Sequence, residues 1–486
     1  MSAGRARRGH GYSGGIHPAA RFAVVTVRGA AMTSHVRAEG PGAATPAPVG
    51  RPSSAVYQSR RRAVLVIGAA AGVGLIVKIL LNATSFGTAD VWHWLDFAQA
   101  TREYGPIDVY SYPFDRIPIH RRSSFYNHPP LIGYYLELIN GLDNVGVPLR
   151  FSIRLFSSLA DIASAFIVFA IVQRRADTRL ATMAGVAISL SPILVIISGF
   201  HGNTDPVFVM FALLAAYLLV DRRRPGWAGL CMAIALGIKI VPVVAIPALL
   251  VWAYRAGRPV LLRFAGALVG ASALWWVPAL ALQWRHVMGQ VLGYAGVNPH
   301  SWGLDGLFTM VGLQGVAGFV EGPARLLIVA ACALLPAWLS WRRPSIALQA
   351  AALSLPMFLL LTPTFGTQYI VWAAAPLLVA VPRWGVVWNL IAGTWLFWIY
   401  DRWNRGLPWR EAEGGLVPYT VPQLWTGLLV WLCLGVGVVV AARDLLGAGR
   451  SSRSRPGPAG ARHRSPDGPP GPPDAVTAPI PIVDNR

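Results

Sequence analysis

Ala63 to Ala83 is an apolar run of about 21 residues, interrupted only by Lys78 and Asn82. At roughly 31 Å of helix it suffices to cross the ~30 Å hydrocarbon core of a bilayer. Comparable runs recur to near the end of the chain, separated by short loops that carry Arg174-Arg175, Arg222-Arg223-Arg224 and Arg342-Arg343. A chain with such runs has little architectural freedom, because backbone groups inside lipid must bond to one another, and consecutive apolar runs do that as helices. The expected fold is therefore all-α, a polytopic transmembrane helical bundle. A mean hydropathy of +0.49 with only 13 % charged residues agrees, being too apolar for a soluble domain of 486 residues.

The net charge of +21 is no sign of a nucleic-acid partner. Residues 1–62 carry ten Arg against one Glu, and residues 443–486 carry seven Arg against four Asp, so more than half of the excess lies in two tails. The remainder sits mostly in the short loops, as the positive-inside bias predicts. Residues 1–62, with Met32 as an alternative start, and residues 443–486 are rich in Gly, Pro, Ala, Ser and Arg and read as disordered cytosolic extensions. Cys231, Cys332 and Cys433 lie inside apolar segments without metal or pairing spacing and read as small core hydrophobes.

Arg60-Arg61-Arg62 fixes the first span as running outward, so the loop at 84–150 is extracytoplasmic. Val91 to Tyr104 reads as one interfacial helix there, and His128-Pro129-Pro130 opens a second that ends at Leu142. The following spans are 151–173, 180–200, 206–220, a hairpin within 226–254 with Lys239 near its outer tip, 260–282, 326–341, 346–361, 369–381, 386–400 and 424–441. The total is about twelve spans with both termini inside, and Leu307 to Val320 is re-entrant or interfacial. Each hairpin arm has about 14 residues, roughly 21 Å, short of a full crossing.

On this topology the inner loops hold Arg and turns, whereas the outer loops hold the chemically versatile residues. These are Asp90 and His128, the run Phe200-His201-Gly202-Asn203-Thr204-Asp205, Lys239, the run from Asn298 to Ser301 that includes His300, and Thr364 to Tyr369 with Gln368. One polar site at the outer face, built from segments distant in sequence, follows. Asp90 reads as a general base whose pKa is raised by aromatic surface, or equally as the N-cap of the next helix. Asp96 reads as a solvated helix-face residue. Asp205 suits a helix N-terminus, and His201 and Asn203 beside it favour ligand binding. The only two lysines among 42 basic residues, Lys78 and Lys239, both lie in apolar segments. Lys78 is placed to snorkel, Lys239 to hold an embedded anion such as a lipid phosphate, and Asp161 to pair with Arg154.

The acid after the first helix, His128-Pro129-Pro130, Gly202-Asn203-Thr204-Asp205, Lys239-Ile240-Val241-Pro242 and Gln368-Tyr369-Ile370-Val371-Trp372 together resemble the GT-C superfamily of polyprenyl-phosphate-sugar-dependent glycosyltransferases. The last three elements are similar to those of the mannosyltransferase that begins glycosylphosphatidylinositol assembly and of its bacterial relatives. The resemblance covers roughly residues 63–442 and implies a GT-C-type domain there. It implies an inverting transfer with Asp90 as the base, Lys239 on the donor phosphate, and Asp205, His201 and Gln368 lining the sugar or lipid pocket. Asn203, His128, His300 and Tyr369 complete the expected substrate-binding set. Many members carry an Asp-x-Asp pair in the first loop, whereas this chain has Asp90 and Asp96 six apart, so no metal ligands and no cofactor are assigned.

The function these readings converge on is transfer of a hexose, such as mannose, from a polyprenyl-phosphate donor to a lipid-linked, glycan or protein acceptor. The alternative is a transporter or flippase for a lipid-linked sugar, which should carry its polar groups at mid-membrane. The near replacement of Lys by Arg points to a high-GC bacterium and its cytoplasmic membrane, with the site facing outside.

Overall fold

The computed structural model describes residues 54–116, 123–294, 302–363, 365–404 and 419–447, which are helices and their connections, with no strand among them. The first group of helices is α1 (Ser54–Thr84), α2 (Ala89–Asp108), α3 (Pro130–Asn144), α4 (Leu149–Gln173), α5 (Thr178–Ser189) and α6 (Pro192–Ile196). Next come α7 (Asp205–Ala216), α8 (Pro225–Ile238), α9 (Ile246–Arg255), α10 (Arg258–His286), α11 (Gly303–Met310) and α12 (Gln314–Glu321). The last are α13 (Arg325–Arg342), α14 (Ala347–Leu361), α15 (Val371–Ala380), α16 (Pro382–Trp403) and α17 (Val421–Gly447). Most of the two tails lies outside the described residues, although α1 already starts at Ser54 and α17 continues to Gly447.

Each apolar stretch marked in the sequence is helical, and seven helical segments are long and apolar enough to cross a membrane. Pro225–Ile238, Val241–Arg255 and Thr367–Ala380 are shorter, as the hairpin arms were expected to be. The segment at 307–320 is two eight-residue helices, α11 and α12, joined by a turn. Large apolar side chains point outward from the perimeter helices, among them Leu65, Val269, Leu274 and Leu326, each more than 60 % exposed. In water such faces would drive aggregation, and in lipid they are ordinary solvation. α15 is the opposite case, with every residue from Val371 to Val379 buried, so a short helix that is apolar all round forms the middle of the bundle.

Polar groups inside the bundle are matched differently from the sequence expectation. Asp161 on α4 pairs with Lys78 at 2.7 Å, not with Arg154, and both side chains of that pair are 3 % exposed. Lys78 therefore does not snorkel. A desolvated ammonium is better matched by a carboxylate within reach on the adjacent helix than by a distant headgroup. Arg154 instead donates to the carbonyl and hydroxyl of Ser85 and to the carbonyl of Phe200. These oxygens lie just past the end of α1 and in the break after α6, where helix carbonyls lose their intrahelical partners.

Candidate active site

The helix breaks of this chain meet around one cavity. α2 begins at Ala89 rather than Val91, and its N-cap is Thr88, whose hydroxyl accepts the Asp90 N–H. Asp90 is thus inside the first turn, and its carboxylate is not the cap. After α6 the chain makes a π-helical turn, Ile197–His201, then passes through Gly202 in the left-handed region at φ +84°. Only glycine adopts this conformation without strain, and a Cβ there would lie 2.9 Å from the Val91 side chain. The Gly202 carbonyl accepts the Trp94 indole N–H at 2.8 Å, and Ser157 on α4 donates to the Asn203 carbonyl at 2.5 Å. α2, α4 and the 197–205 turn are therefore fixed to one another.

Asp90 Oδ2 is 2.9 Å from His201 Nε2. His201 Nδ1 is in turn 2.6 Å from the Tyr400 hydroxyl and 3.2 Å from the Thr88 hydroxyl. Burial pushes the Asp90 carboxyl upward, but the charge and hydrogen bond of His201, with His93 and Lys239 beyond it, outweigh that and hold it at about 2. The expectation of a raised pKa is therefore overturned, because His201, His93 and Lys239 rather than bare aromatic surface surround the carboxylate. His128 stacks on Trp94 at 4.6 Å. Its pKa is pushed well below the ordinary imidazole range, by burial first and by Lys239 next, so it is neutral near pH 7.

Lys239 terminates α8 in extended conformation, φ −148° and ψ 143°, before Pro242 starts the second arm. Its ammonium lies 3.3 Å from Asp205 Oδ1 and 5.8 Å from the centre of the Tyr369 ring. The contact with Asp205 is an ion pair without hydrogen-bond alignment, so the lysine's N–H donors remain free for a ligand. Asp205 is fully buried, its Oδ2 accepts the Trp372 indole N–H at 2.7 Å, and its own backbone N–H is taken by Asn203 Oδ1. Asp96, expected in solvent, is 1 % exposed and accepts the Ser123 N–H, which anchors the segment leading to His128.

A polar cavity of about 260 Å³ is lined by Asp90, His128, Asn203, Lys239, Gln368 and Tyr369, joined by His93, Asn127 and Tyr294. An apolar groove of about 290 Å³, walled by side chains of the 3-10 turn at Val241–Ala245, of α13 and of α14, such as Val244, Val329 and Phe358, shares Asn127, His128, Lys239, Tyr294 and Tyr369 with it. Lys239 therefore stands where a polar chamber joins an apolar one. A larger groove, about 520 Å³ between α3, α4, α7 and α8, holds no charged side chain and none of these residues.

Of the residues marked from sequence, Asp90, His128, Asn203, Lys239, Gln368 and Tyr369 share the cavity. His201 and Asp205 lie behind its wall, 3 % and 0 % exposed, and hold Asp90 and Lys239 rather than facing the space. His300 is outside the described residues. Sequence reasoning missed His93, Asn127, Tyr294 and Tyr400. Tyr400 carried only the signal of an aromatic at the end of an apolar run. Among the described residues no group of three His, Cys, Asp or Glu side chains is gathered as a metal ion would need.

The family model of the dolichyl-phosphate-mannose-protein mannosyltransferases matches residues 127–283, which contain His128, the 197–205 turn and Lys239. No curated protein matches the chain. That match over residues 127–283, on a chain whose described residues are helical and include seven segments long and apolar enough to cross a membrane, supports a membrane glycosyltransferase of the GT-C type.

Proposed function

We propose that the protein transfers a hexose, mannose being the first candidate, from a polyprenyl phosphate to an acceptor hydroxyl on a lipid, glycan or protein at the outer face of a bacterial cytoplasmic membrane. The observation that carries this reading is the junction at Lys239 between the polar cavity and the apolar groove. A sugar joined through a phosphate to a long apolar chain has those three parts in that order. The groove suits the chain, the cavity suits the sugar, and the ammonium suits the phosphate between them. Arg325, at the start of α13, lines the same groove and adds a second cation.

In the proposed reaction the acceptor oxygen attacks the anomeric carbon on the face opposite the phosphate. The bond from that carbon to the phosphate oxygen breaks, and the electron pair leaves with the phosphate. Lys239 stabilises the charge that develops there. Asp90, ionised at neutral pH, takes the acceptor proton on Oδ1, since Oδ2 is committed to His201. A carboxylate of such low basicity suits a transition state in which departure of the phosphate runs ahead of proton transfer. His128, neutral and lining the polar cavity, can hydrogen-bond a sugar hydroxyl there.

The test is transfer of radiolabelled sugar from synthetic polyprenyl-phosphate mannose and glucose to membrane lipid and glycan extracts. Wild type should transfer, and Asp90→Asn should lose at least about 100-fold in rate while remaining folded. Full activity in Asp90→Asn would remove Asp90 as base. No transfer, with lipid-linked sugar instead crossing proteoliposome membranes, would leave a flippase.

A further inference from the structure

The resemblance read from the sequence places His201 in the lining of the sugar or lipid pocket, yet its geometry is wrong for that. The side chain is 4 % exposed and both ring nitrogens are engaged within the protein, Nε2 by Asp90 and Nδ1 by Tyr400 and Thr88. The imidazole also stacks on the Tyr400 ring, with centroids 5.6 Å apart, so its plane is fixed as well as its edge. The three groups arrive from separate elements, Asp90 from the first turn of α2, His201 from the π-helical turn and Tyr400 from α16.

We propose that His201, braced by Tyr400, is a positioning residue that holds Asp90 ionised and in one orientation, with a single carboxylate oxygen left for the acceptor. The proposal rests on Asp90 being the base of the transfer described above, and it assigns the residue that makes the acid usable.

The hydrogen-bond inventory sets the tautomer. Thr88 spends its only hydroxyl proton on the His201 carbonyl at 3.0 Å, so it cannot also donate to Nδ1. Ionised Asp90 can only accept, so the ring proton of neutral His201 sits on Nε2, directed at Oδ2, and Nδ1 accepts from the Tyr400 hydroxyl. With protonated His201 both nitrogens donate, and Asp90 still receives Nε2–H. In either state Oδ2 accepts from His201 and Oδ1 remains for the substrate. The other charged and titratable groups around Asp90 are His93 on α2, His128, Lys239 at the α8 end, and Tyr294, Tyr369 and Tyr400. Among the described residues the side-chain hydrogen bond to the carboxylate comes from His201 and from none of these.

The experiment uses the full chain in lipid nanodiscs with two readouts. The first is the pH dependence of Asp90 modification by dicyclohexylcarbodiimide, which reacts with the protonated carboxyl, followed by peptide mass spectrometry. The second is kcat and donor KM with synthetic polyprenyl-phosphate mannose. His201→Ala should move the modification midpoint of Asp90 up toward the ordinary carboxylate range near about 4, and Tyr400→Phe should move it in the same direction by less. His201→Gln, whose amide can still donate but carries no charge, should restore part of the wild-type profile. Loss of the brace should lower kcat about 10–100-fold with donor KM little changed, as removal of an orienting partner does elsewhere. An unmoved midpoint in both His201→Ala and Tyr400→Phe overturns the brace, and because the labelling needs no turnover, that outcome is separate from failure of the transfer reading. Should His201→Ala not fold, Tyr400→Phe, which keeps the stacked ring and removes only the hydroxyl, decides the question.

Discussion

Lys239 shows how much one residue can reveal when its type is scarce. With 42 basic residues and only two lysines, both inside apolar runs, the sequence already singled it out. The structure adds that it is paired loosely with Asp205, which orients it without consuming its donors. Lys239→Met should therefore lower kcat by about 100–1000-fold, as loss of a charge-stabilising donor does, while Lys239→Arg retains part of the rate because the charge survives. Steady-state kinetics with polyprenyl-phosphate mannose would check both. Equal activity of Met and wild type would move the phosphate to Arg325. Tyr400 is the opposite case. Nothing in its neighbourhood of Trp398, Ile399 and Asp401 points to His201, 199 positions earlier in the chain.

At the scale of elements, the 197–205 turn does the most to assemble the site. It is a helix that widens into a π turn, reverses through Gly202, and restarts at Asp205 with Pro206 in the first turn of α7. That sequence of events presents Asn203 to the cavity and places His201 and Asp205 behind it. The polar run from His201 to Asp205 announced a break between two apolar stretches, but not its handedness, which requires the positive φ of Gly202. Gly202→Ala should cost about 1–3 kcal/mol from the backbone conformation alone, with a further penalty from contact with Val91. Thermal unfolding in nanodiscs should show a lowered Tm. Transfer should fall as well, because the Trp94 bond to the Gly202 carbonyl ties the Asp90 helix to this turn.

Across the whole molecule, the apolar groove is assembled from side chains spread between Asn127 and Trp372. No single helix pattern encodes it, since each wall residue reads locally as an ordinary apolar side chain. Filling it should separate chain binding from chemistry. Val329→Trp places an indole in a space of about 290 Å³ and should raise KM at least about tenfold for a long polyprenyl-phosphate donor. A donor with a chain of only two isoprene units should be affected much less. Equal effects on both donors would mean that the chain lies elsewhere.

The sequence alone determined the all-helical class, the stretches that become helices, the short α8–α9 hairpin and the clustering of polar residues in the breaks. These follow from local hydropathy, proline and glycine placement, and the cost of bare backbone in lipid. Tertiary structure decided which buried charges meet. Asp161 took Lys78 in place of Arg154, because ion pairing depends on which helices become neighbours. It also set the pKa of Asp90, which came out low because His201, 111 residues away, supplies charge and a hydrogen bond that, together with His93 and Lys239, outweigh desolvation. Pairing and pKa depend on distances across the bundle, and those distances exist only once the helices have packed.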